Sequence, residues 1–383
     1  MRLKPLDILR AAAVLLVIGR HFPITKFLYL GGWTGVDLFF VLSGFLISGL
    51  LFSEHKKHGK IRVGHFLIRR GFKIYPPFYL LVVWTVCMFV LYRHPLPWSR
   101  FFSEVFFLQS YHTGIWTHTW SLAVEEHFYL ALPVLLMLLA RLSRNRANPF
   151  CALPGIFLVA AIAILGARLT SVPISGLFSQ QVCTWTHLQV DGLLFGVLIS
   201  YFFHYHPLDF QRFVGTWRVW LGVIGCLCVS PAFFLDRDQS YFIQTAGHTL
   251  LYLGYGGLLM FALSHAGNQR PAQWPLFAFL GDRLASIGVY SYSIYLWHVP
   301  VNAWGLEILR RGGLLPGSRG AQFLIYLLGS VLVGVGMAKL VEYPVLRLRD
   351  RLFPSRSGAL VLPQGRVSVE AVLPASPIAD ATA

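Results

Sequence analysis

Charged residues are scarce in this 383-residue chain: only 13% are Asp, Glu, Lys or Arg, whereas 56% are hydrophobic. A soluble globular domain carries roughly 25% charged residues, so a soluble enzyme is excluded. Acidic residues are the scarcer sign, with 16 Asp and Glu against 32 Lys and Arg. The five cysteines form no CxxC pair, so neither a disulfide framework nor a zinc site is indicated. The composition is that of an integral membrane protein.

Ten apolar runs are long enough to cross a hydrocarbon core about 30 Å thick. The first run resembles a secretory signal, but Arg10, Arg20 and His21 interrupt it and no small-residue cleavage site follows. The sequence therefore predicts an all-α polytopic bundle of about ten transmembrane helices. The runs are 6–24, 35–53, 74–92, 119–140, 150–167, 184–203, 214–235, 244–264, 284–305 and 320–341.

The basic residues predict the orientation, because cytoplasmic loops are enriched in Lys and Arg. An even number of spans places both termini on one side. An inside N-terminus assigns most of the 32 Lys and Arg, including those of loop 54–73, to the cytoplasm. We therefore expect N-in and C-in, and no nucleic-acid partner. Residues 1–350 are expected to form the membrane domain, and 351–383 a basic and then disordered cytoplasmic tail.

Ionisable side chains inside apolar runs need a partner or a function, because a charge at the centre of a span costs about 2.5–3.5 kcal/mol on insertion scales. On the predicted topology most of them lie toward the outer side. A short connection joins the first two spans, so His21 and Asp37 are expected at similar depth and close enough to meet. The outer group comprises His21, Asp37, Glu125, Glu126, Asp191 and His298.

Cationic side chains gather on the opposite, cytoplasmic side, at Arg10, Arg69, Arg70 and Lys73. They fit a ligand with several phosphates, since Arg forks match phosphate geometry. The alternative is that the last three contact lipid phosphates as membrane anchors. Arg10 and His21 belong to the same span, and at about 1.5 Å per residue they lie roughly 16 Å apart along its axis.

Several motifs follow one another along residues 5–350. They are Arg10 and His21 ten residues apart, GVDLFFVLSGFLI from 35, RRGFKIYP from 69, HTWSLAVEEHFYL from 118, VDGLLFG from 190, SYSIYLWH from 291 and VEYP from 341. Together they resemble the motifs of the acyltransferase 3 family, bacterial integral-membrane O-acyltransferases. Three positions depart from the family's pattern: Lys73 and Gln189 stand where arginine is usual, and His127 where glutamine is common.

The resemblance implies a multi-pass enzyme of the bacterial inner membrane. Such an enzyme moves an acyl group, acetyl by the family's habit, from cytoplasmic acyl-CoA to a hydroxyl of an extracytoplasmic carbohydrate or glycolipid. No metal is implied. The acceptor stays open among O-antigen, exopolysaccharide, peptidoglycan and other cell-surface glycans.

The same resemblance assigns residue roles. His21 would act as the general base on the acceptor hydroxyl, with an acyl-histidine relay as the open alternative. Asp37 or Glu125 would orient His21, and Glu126 would pair with Arg20 or another intramembrane cation. Acyl-CoA would bind at Arg10, Arg69, Arg70 and Lys73. The substrate contacts would be Ser43, Trp120, Ser121, Asp191 and His298.

Three other functions are compatible with parts of the pattern. A proton-coupled transporter or flippase of a sugar or lipid-linked precursor would use the intramembrane acids and histidines as proton relays, but would not explain the cytoplasmic arginines. A catalytically inactive scaffold of the same fold would have no need of Arg10, His21, Asp37 and Glu125 together. An unrelated membrane O-acyltransferase with a buried asparagine and histidine would show other motifs.

Overall fold

The computed structural model describes residues 3–143, 147–175, 183–266 and 275–356, and every regular element in these ranges is helical. This confirms the predicted all-α class. Eight segments in the described ranges are long and apolar enough to cross a membrane, and each overlaps one predicted run. They are Lys26–His58, Val63–Leu91, Trp120–Leu142, Leu153–Pro173, Thr186–Tyr205, Pro207–Phe234, Ile243–His265 and Arg319–Leu352.

The helices follow one another through short connections. In order they are α1 (Lys4–His21), α2 (Lys26–Gly31), α3 (Gly35–His58), α4 (Val63–Leu91), α5 (Trp98–Val105), α6 (Trp120–Leu142), α7 (Leu153–Ser175), α8 (Thr186–Tyr205), α9 (Pro207–Val229), α10 (Pro231–Phe234), α11 (His248–Ala266), α12 (Pro275–Val289), α13 (Ser291–Pro300), α14 (Leu306–Arg311), α15 (Arg319–Met337) and α16 (Tyr343–Leu352). Single π-helical turns occupy Ile243–Gly247, Val301–Gly305 and Ala338–Glu342.

The first and ninth predicted runs are helical but do not form one long apolar segment each. Helix α1 carries four charged residues, which lower its hydropathy, although Ala11, Val14 and Ile18 are fully buried. The run 284–305 breaks at Tyr290, where α12 ends and α13 begins, and widens into a π turn after Pro300. The count of ten spans and the N-in, C-in orientation therefore stay predictions.

Burial separates central helices from peripheral ones that have the same hydropathy. The apolar window in Lys26–His58 is 78% buried, whereas those in Leu153–Pro173 and Pro207–Phe234 are only 17% buried. Large apolar side chains cover the outside of α9, which is the expected surface of a helix that faces lipid. Helix α3 is therefore the central helix around which the site is assembled.

Two glycines allow α3 to touch α8 along the backbone. A Cβ on Gly44 would lie 1.9 Å from the Leu193 carbonyl oxygen, and one on Gly196 would lie 2.2 Å from the Val41 carbonyl oxygen. Small residues at such crossings permit the close packing that holds membrane helices together. The glycine inside the GVDLFFVLSGFLI motif thus has a packing role.

The third span begins earlier than predicted. Helix α4 starts at Val63 instead of residue 74, because the basic segment continues the helix without a break. Arg69, Arg70 and Lys73 consequently lie within α4 and not in a loop at its mouth. A short helix, α5, lies in the connection that follows α4.

The start of the predicted tail is also part of the fold. His65 Nε2 lies 3.1 Å from the carbonyl oxygen of Pro354, and Arg356 Nε lies 3.1 Å from Glu54 Oε1. These contacts hold the basic start of the predicted tail against α3 and α4, and the domain boundary at 350 stays a prediction. Residues 357–383, where disorder is predicted, lie outside the described residues.

Candidate active site

Three cavities follow one another through the bundle. The basic cavity, about 300 Å³, is lined in part by Glu54, Arg69, Arg70, Lys73, Arg349 and Arg356. The connecting cavity, about 60 Å³, is lined in part by Arg10, Ser43, Arg70, Lys73, Ser121 and Glu125. The outer cavity, about 230 Å³, is lined in part by Arg20, His21, Asp37, His118, Arg237 and His248.

Shared side chains make the three cavities neighbours in a row. Arg70 and Lys73 line both the basic and the connecting cavity, while Val36 and Tyr295 line both the connecting and the outer cavity. The series runs from a cluster of arginines at one end to His21 at the other. A long ligand could therefore reach from the arginines to the histidine along one path.

The basic cavity has five cationic lining side chains and one carboxylate, Glu54. Glu54 is engaged by Arg356, and Arg69 Nη2 lies 3.0 Å from Asp350 Oδ1. Arg349 contacts the same carboxylate at 2.8 Å. Positive charge remains in excess after these pairs, which suits a ligand with several phosphates.

Glu125 lies deeper than the predicted topology placed it. Arg70 Nη2 is 3.9 Å from Glu125 Oε2, and the Arg70 guanidinium stacks 4.2 Å from the centre of the Tyr129 ring. Glu125 accepts hydrogen bonds from Ser43 Oγ at 2.8 Å and from Tyr129 Oη at 2.5 Å. Glu125 thus faces the basic residues, and the structure does not bring it to His21.

Glu126 accepts a hydrogen bond of 3.1 Å from the hydroxyl of Tyr75. The expected pair with Arg20 is not made, and the alternative, a pair with another intramembrane cation, stays a prediction. Arg20 instead donates to the carbonyl of Tyr29 and lies 3.9 Å from Asp238 at the outer end. Arg20 is the penultimate residue of α1 and lines the outer cavity, which Glu126 does not.

His21 is fixed in one tautomer by a main-chain carbonyl. Its Nδ1 lies 2.9 Å from the carbonyl oxygen of Val17 and 3.3 Å from His298 Nε2. A carbonyl only accepts hydrogen bonds, so Nδ1 carries the hydrogen and Nε2 keeps its lone pair. His298 Nδ1 lies 2.5 Å from the Tyr295 carbonyl oxygen, which makes His298 Nε2 the acceptor that faces His21.

A third histidine, His118, completes the cluster. Its ring centre lies 5.0 Å from that of His298 and 6.3 Å from that of His21. Its Nε2 lies 3.2 Å from the carbonyl oxygen of Leu296, which leaves the buried Nδ1 with a lone pair and no hydrogen-bond partner among the described residues. His118 precedes α6, outside the spans, and burial lowers its pKa to about 3. It therefore stays neutral.

The carboxylate of Asp37 contacts a histidine, but not the expected one. Asp37 Oδ1 lies 3.2 Å from His248 Nδ1, the first residue of α11. The predicted meeting of Asp37 with His21 is not made, although both line the outer cavity. His248 was missed because only its position inside an apolar run marks it, and no quoted motif includes it.

Asp191 has a buried partner. Arg168 Nη1 and Nη2 each lie 2.8 Å from one of its carboxylate oxygens, and Arg168 Nε donates to the Leu188 carbonyl at 2.8 Å. The two side chains are only 2% and 4% exposed. Asp191 lines none of the three cavities, so its predicted contact with substrate has no support in this geometry.

Of the four other predicted substrate contacts, His298 is fully buried, lies against His21 and lines none of the three cavities. The other three divide between two cavities. Trp120 lines the outer cavity, while Ser43 and Ser121 line the connecting one. Ser121 Oγ lies 2.6 Å from the hydroxyl of Tyr295, which lines both. These residues stand along the path between Arg70 and His21.

Fold and site together define a polytopic helical membrane protein with a basic pocket joined to a histidine cluster. The chain belongs to the acyltransferase 3 family, whose model, described as an acyltransferase domain, matches residues 4–339. No solved structure matches the chain.

Three relatives are named as O-acetyltransferases. A provisionally named O-acetyltransferase of Staphylococcus aureus strain MSSA476 is 31% identical over 320 residues, covering 79% of this chain and 51% of the relative. The peptidoglycan O-acetyltransferase OatA of Listeria monocytogenes is 28% identical over 322 residues, covering 77% and 49%. The O-acetyltransferase OatA of Staphylococcus aureus strain NCTC 8325 is 28% identical over 320 residues, covering 78% and 50%. The chain spans about half the length of these relatives.

Proposed function

We propose that this protein is a membrane O-acetyltransferase that transfers acetyl from cytoplasmic acetyl-CoA to a hydroxyl of an extracytoplasmic carbohydrate. The observation that carries the proposal is the row of three cavities that leads from an arginine cluster to His21. Membership of the acyltransferase 3 family and the names of the relatives support the acetyl group.

The donor end of the path is the basic cavity. Arg69, Arg349 and Arg356 would hold the phosphates of the nucleotide, since guanidinium forks bind phosphate oxygens in pairs. The pantetheine arm would pass Arg70 and Lys73 into the connecting cavity. Arg10 and His21 lie roughly 16 Å apart on α1, which is the distance that a long arm has to cover.

The acceptor end is the outer cavity. Trp33 and Trp120 line it together with polar and charged groups. Flat apolar faces beside hydrogen-bonding groups are what a sugar ring needs from a binding site. A glycan hydroxyl would approach the acyl carbon from this side, and peptidoglycan is one candidate because a relative's name states that acceptor.

His21 is the residue on which both ends converge. Its Nε2 carries the lone pair, while its Nδ1 is held by Val17 and His298. That nitrogen can accept a proton from the acceptor hydroxyl or accept the acyl group itself. Either chemistry is lost when the imidazole is removed.

The test uses purified protein in nanodiscs supplied with acetyl-CoA and a crude envelope glycan extract. We expect thiol release that requires the glycan in the wild type and is abolished in His21→Ala. His112→Ala is the matched control, since His112 is exposed and lines none of the three cavities. Equal release by wild type and His21→Ala would contradict the proposal.

A further inference from the structure

A second histidine in the outer cavity has the features of a base. His248 is 4% exposed, and its Nδ1 lies 3.2 Å from Asp37 Oδ1. Because the carboxylate is the acceptor, Nδ1 carries the hydrogen and Nε2 keeps the lone pair. Nε2 is buried without a hydrogen-bond partner among the described residues, and the side chain lines the outer cavity.

The Nδ1 atoms of His21 and His248 have different neighbours. A general base ends its step as an imidazolium, which a carboxylate on the other ring nitrogen stabilises. His21 Nδ1 instead faces a carbonyl and the ring of His298, and the cationic Arg20, which precedes His21 in α1, lines the same cavity. His248 is the cavity histidine whose Nδ1 faces a carboxylate.

Two imidazoles with free Nε2 atoms thus line one cavity, and their different neighbours suit them to different roles. We propose that His248, oriented by Asp37, takes the proton of the acceptor hydroxyl, while His21 accepts the acyl group as the nucleophile. This inference rests on the proposed acyl transfer and resolves the chemistry of its two steps. His248 is then a catalytic residue, and Asp37 is its positioning residue.

In the first step the lone pair of His21 Nε2 attacks the thioester carbonyl carbon. A C–N bond forms, the C–S bond breaks, and CoA leaves as its thiolate, whose negative charge offsets the positive charge of the acyl-imidazolium. In the second step the acceptor oxygen attacks the acyl carbon while its proton passes to His248 Nε2. The C–N bond breaks, neutral His21 returns with an ester as the product, and His248 releases its proton to water, where the thiolate is reprotonated.

The test separates the two steps by using one acceptor that needs a general base and one that does not. A glycan hydroxyl needs a base to become a nucleophile, whereas the free amine of hydroxylamine at pH 7 does not. We would measure acetylated glycan from a crude envelope extract and, separately, acetohydroxamate from hydroxylamine, both with acetyl-CoA. The variants are His248→Asn and Asp37→Asn, with His112→Asn as the control and His21→Ala for the non-enzymatic background.

We expect glycan acetylation to fall about 10²- to 10⁴-fold in His248→Asn, the usual contribution of a positioned base. Asp37→Asn should also lose glycan acetylation, because an amide cannot stabilise the imidazolium. Acetohydroxamate formation should continue in both variants. A misfolded variant would lose this activity too, so its retention shows that the fold is intact. Undiminished glycan acetylation in His248→Asn, or equal loss of both products, would overturn the inference. No product of either kind from the wild type would overturn the proposed function itself.

Discussion

The buried pair of Arg168 and Asp191 gives the most quantitative test of the packing. Both carboxylate oxygens are bonded by Arg168, and neither side chain is more than 4% exposed. Removing one partner from such a pair costs about 3–5 kcal/mol, because the other charge stays buried and unpaired. Replacing both partners by apolar residues of similar volume is often neutral. The hydrogen bonds from Arg168 to the Leu188 carbonyl and from the Gly192 N–H to Asp191 are then also lost, at about 1 kcal/mol for each partner group.

The variants are therefore Arg168→Met, Asp191→Leu and the double substitution, measured by unfolding free energy in mixed micelles. We expect each single variant to lose about 3–5 kcal/mol and the double variant to lose about 2 kcal/mol. Acetyl transfer by the stable double variant should match the wild type, because Asp191 does not line the path. Losses that simply add in the double variant, or a stable double variant that is inactive, would refute this reasoning.

Three further predictions concern helix packing, the outer connection and the donor end. Gly196→Ala should destabilise the protein by about 1–3 kcal/mol in a thermal melt, because the added Cβ would meet the backbone of α3. Gly215→Ala is the control, since Gly215 has open space around it, and it should not be destabilising. Burial raises the pKa of Glu104, in α5, from 4.5 to about 7, so its stabilising contribution is complete below pH 4.5 and lost as the pH rises through 7. The loss of folding free energy amounts to about 3 kcal/mol. The melting temperature of the wild type should therefore fall between pH 5 and pH 8, and that of Glu104→Gln should not show this fall. Lys73→Ala should raise the KM for acetyl-CoA with little change in kcat, and a change in kcat alone would contradict its place at the donor end.

Much of the fold could be predicted because hydropathy reports it directly. Eight of the ten runs correspond to long apolar helical segments. The two exceptions share a cause: the charges of α1 and the break at Tyr290 belong to helices that pack against other protein groups, where hydropathy is a poor guide. The same limit explains why the sequence could not rank α3 as central and α9 as peripheral.

The candidate site was predicted in its members but not in its contacts. Residue types in apolar runs marked His21, Asp37 and Glu125 as candidates, and all three line a cavity of the path. Which of them meet depends on the rotation and depth of each helix, and the pattern of one sequence fixes neither. The early start of α4 carries Arg70 to the depth of Glu125, and this pairing removes Glu125 from His21.

The central claim is transfer across the membrane, and sidedness tests it most directly. Proteoliposomes with one orientation of the protein would receive acetyl-CoA on the side of the basic cavity and envelope glycan only on the side of the outer cavity. We predict acetylated glycan in the compartment that never contains acetyl-CoA, and none when the two substrates are exchanged. Acetylation only of glycan that shares a compartment with acetyl-CoA would contradict the account.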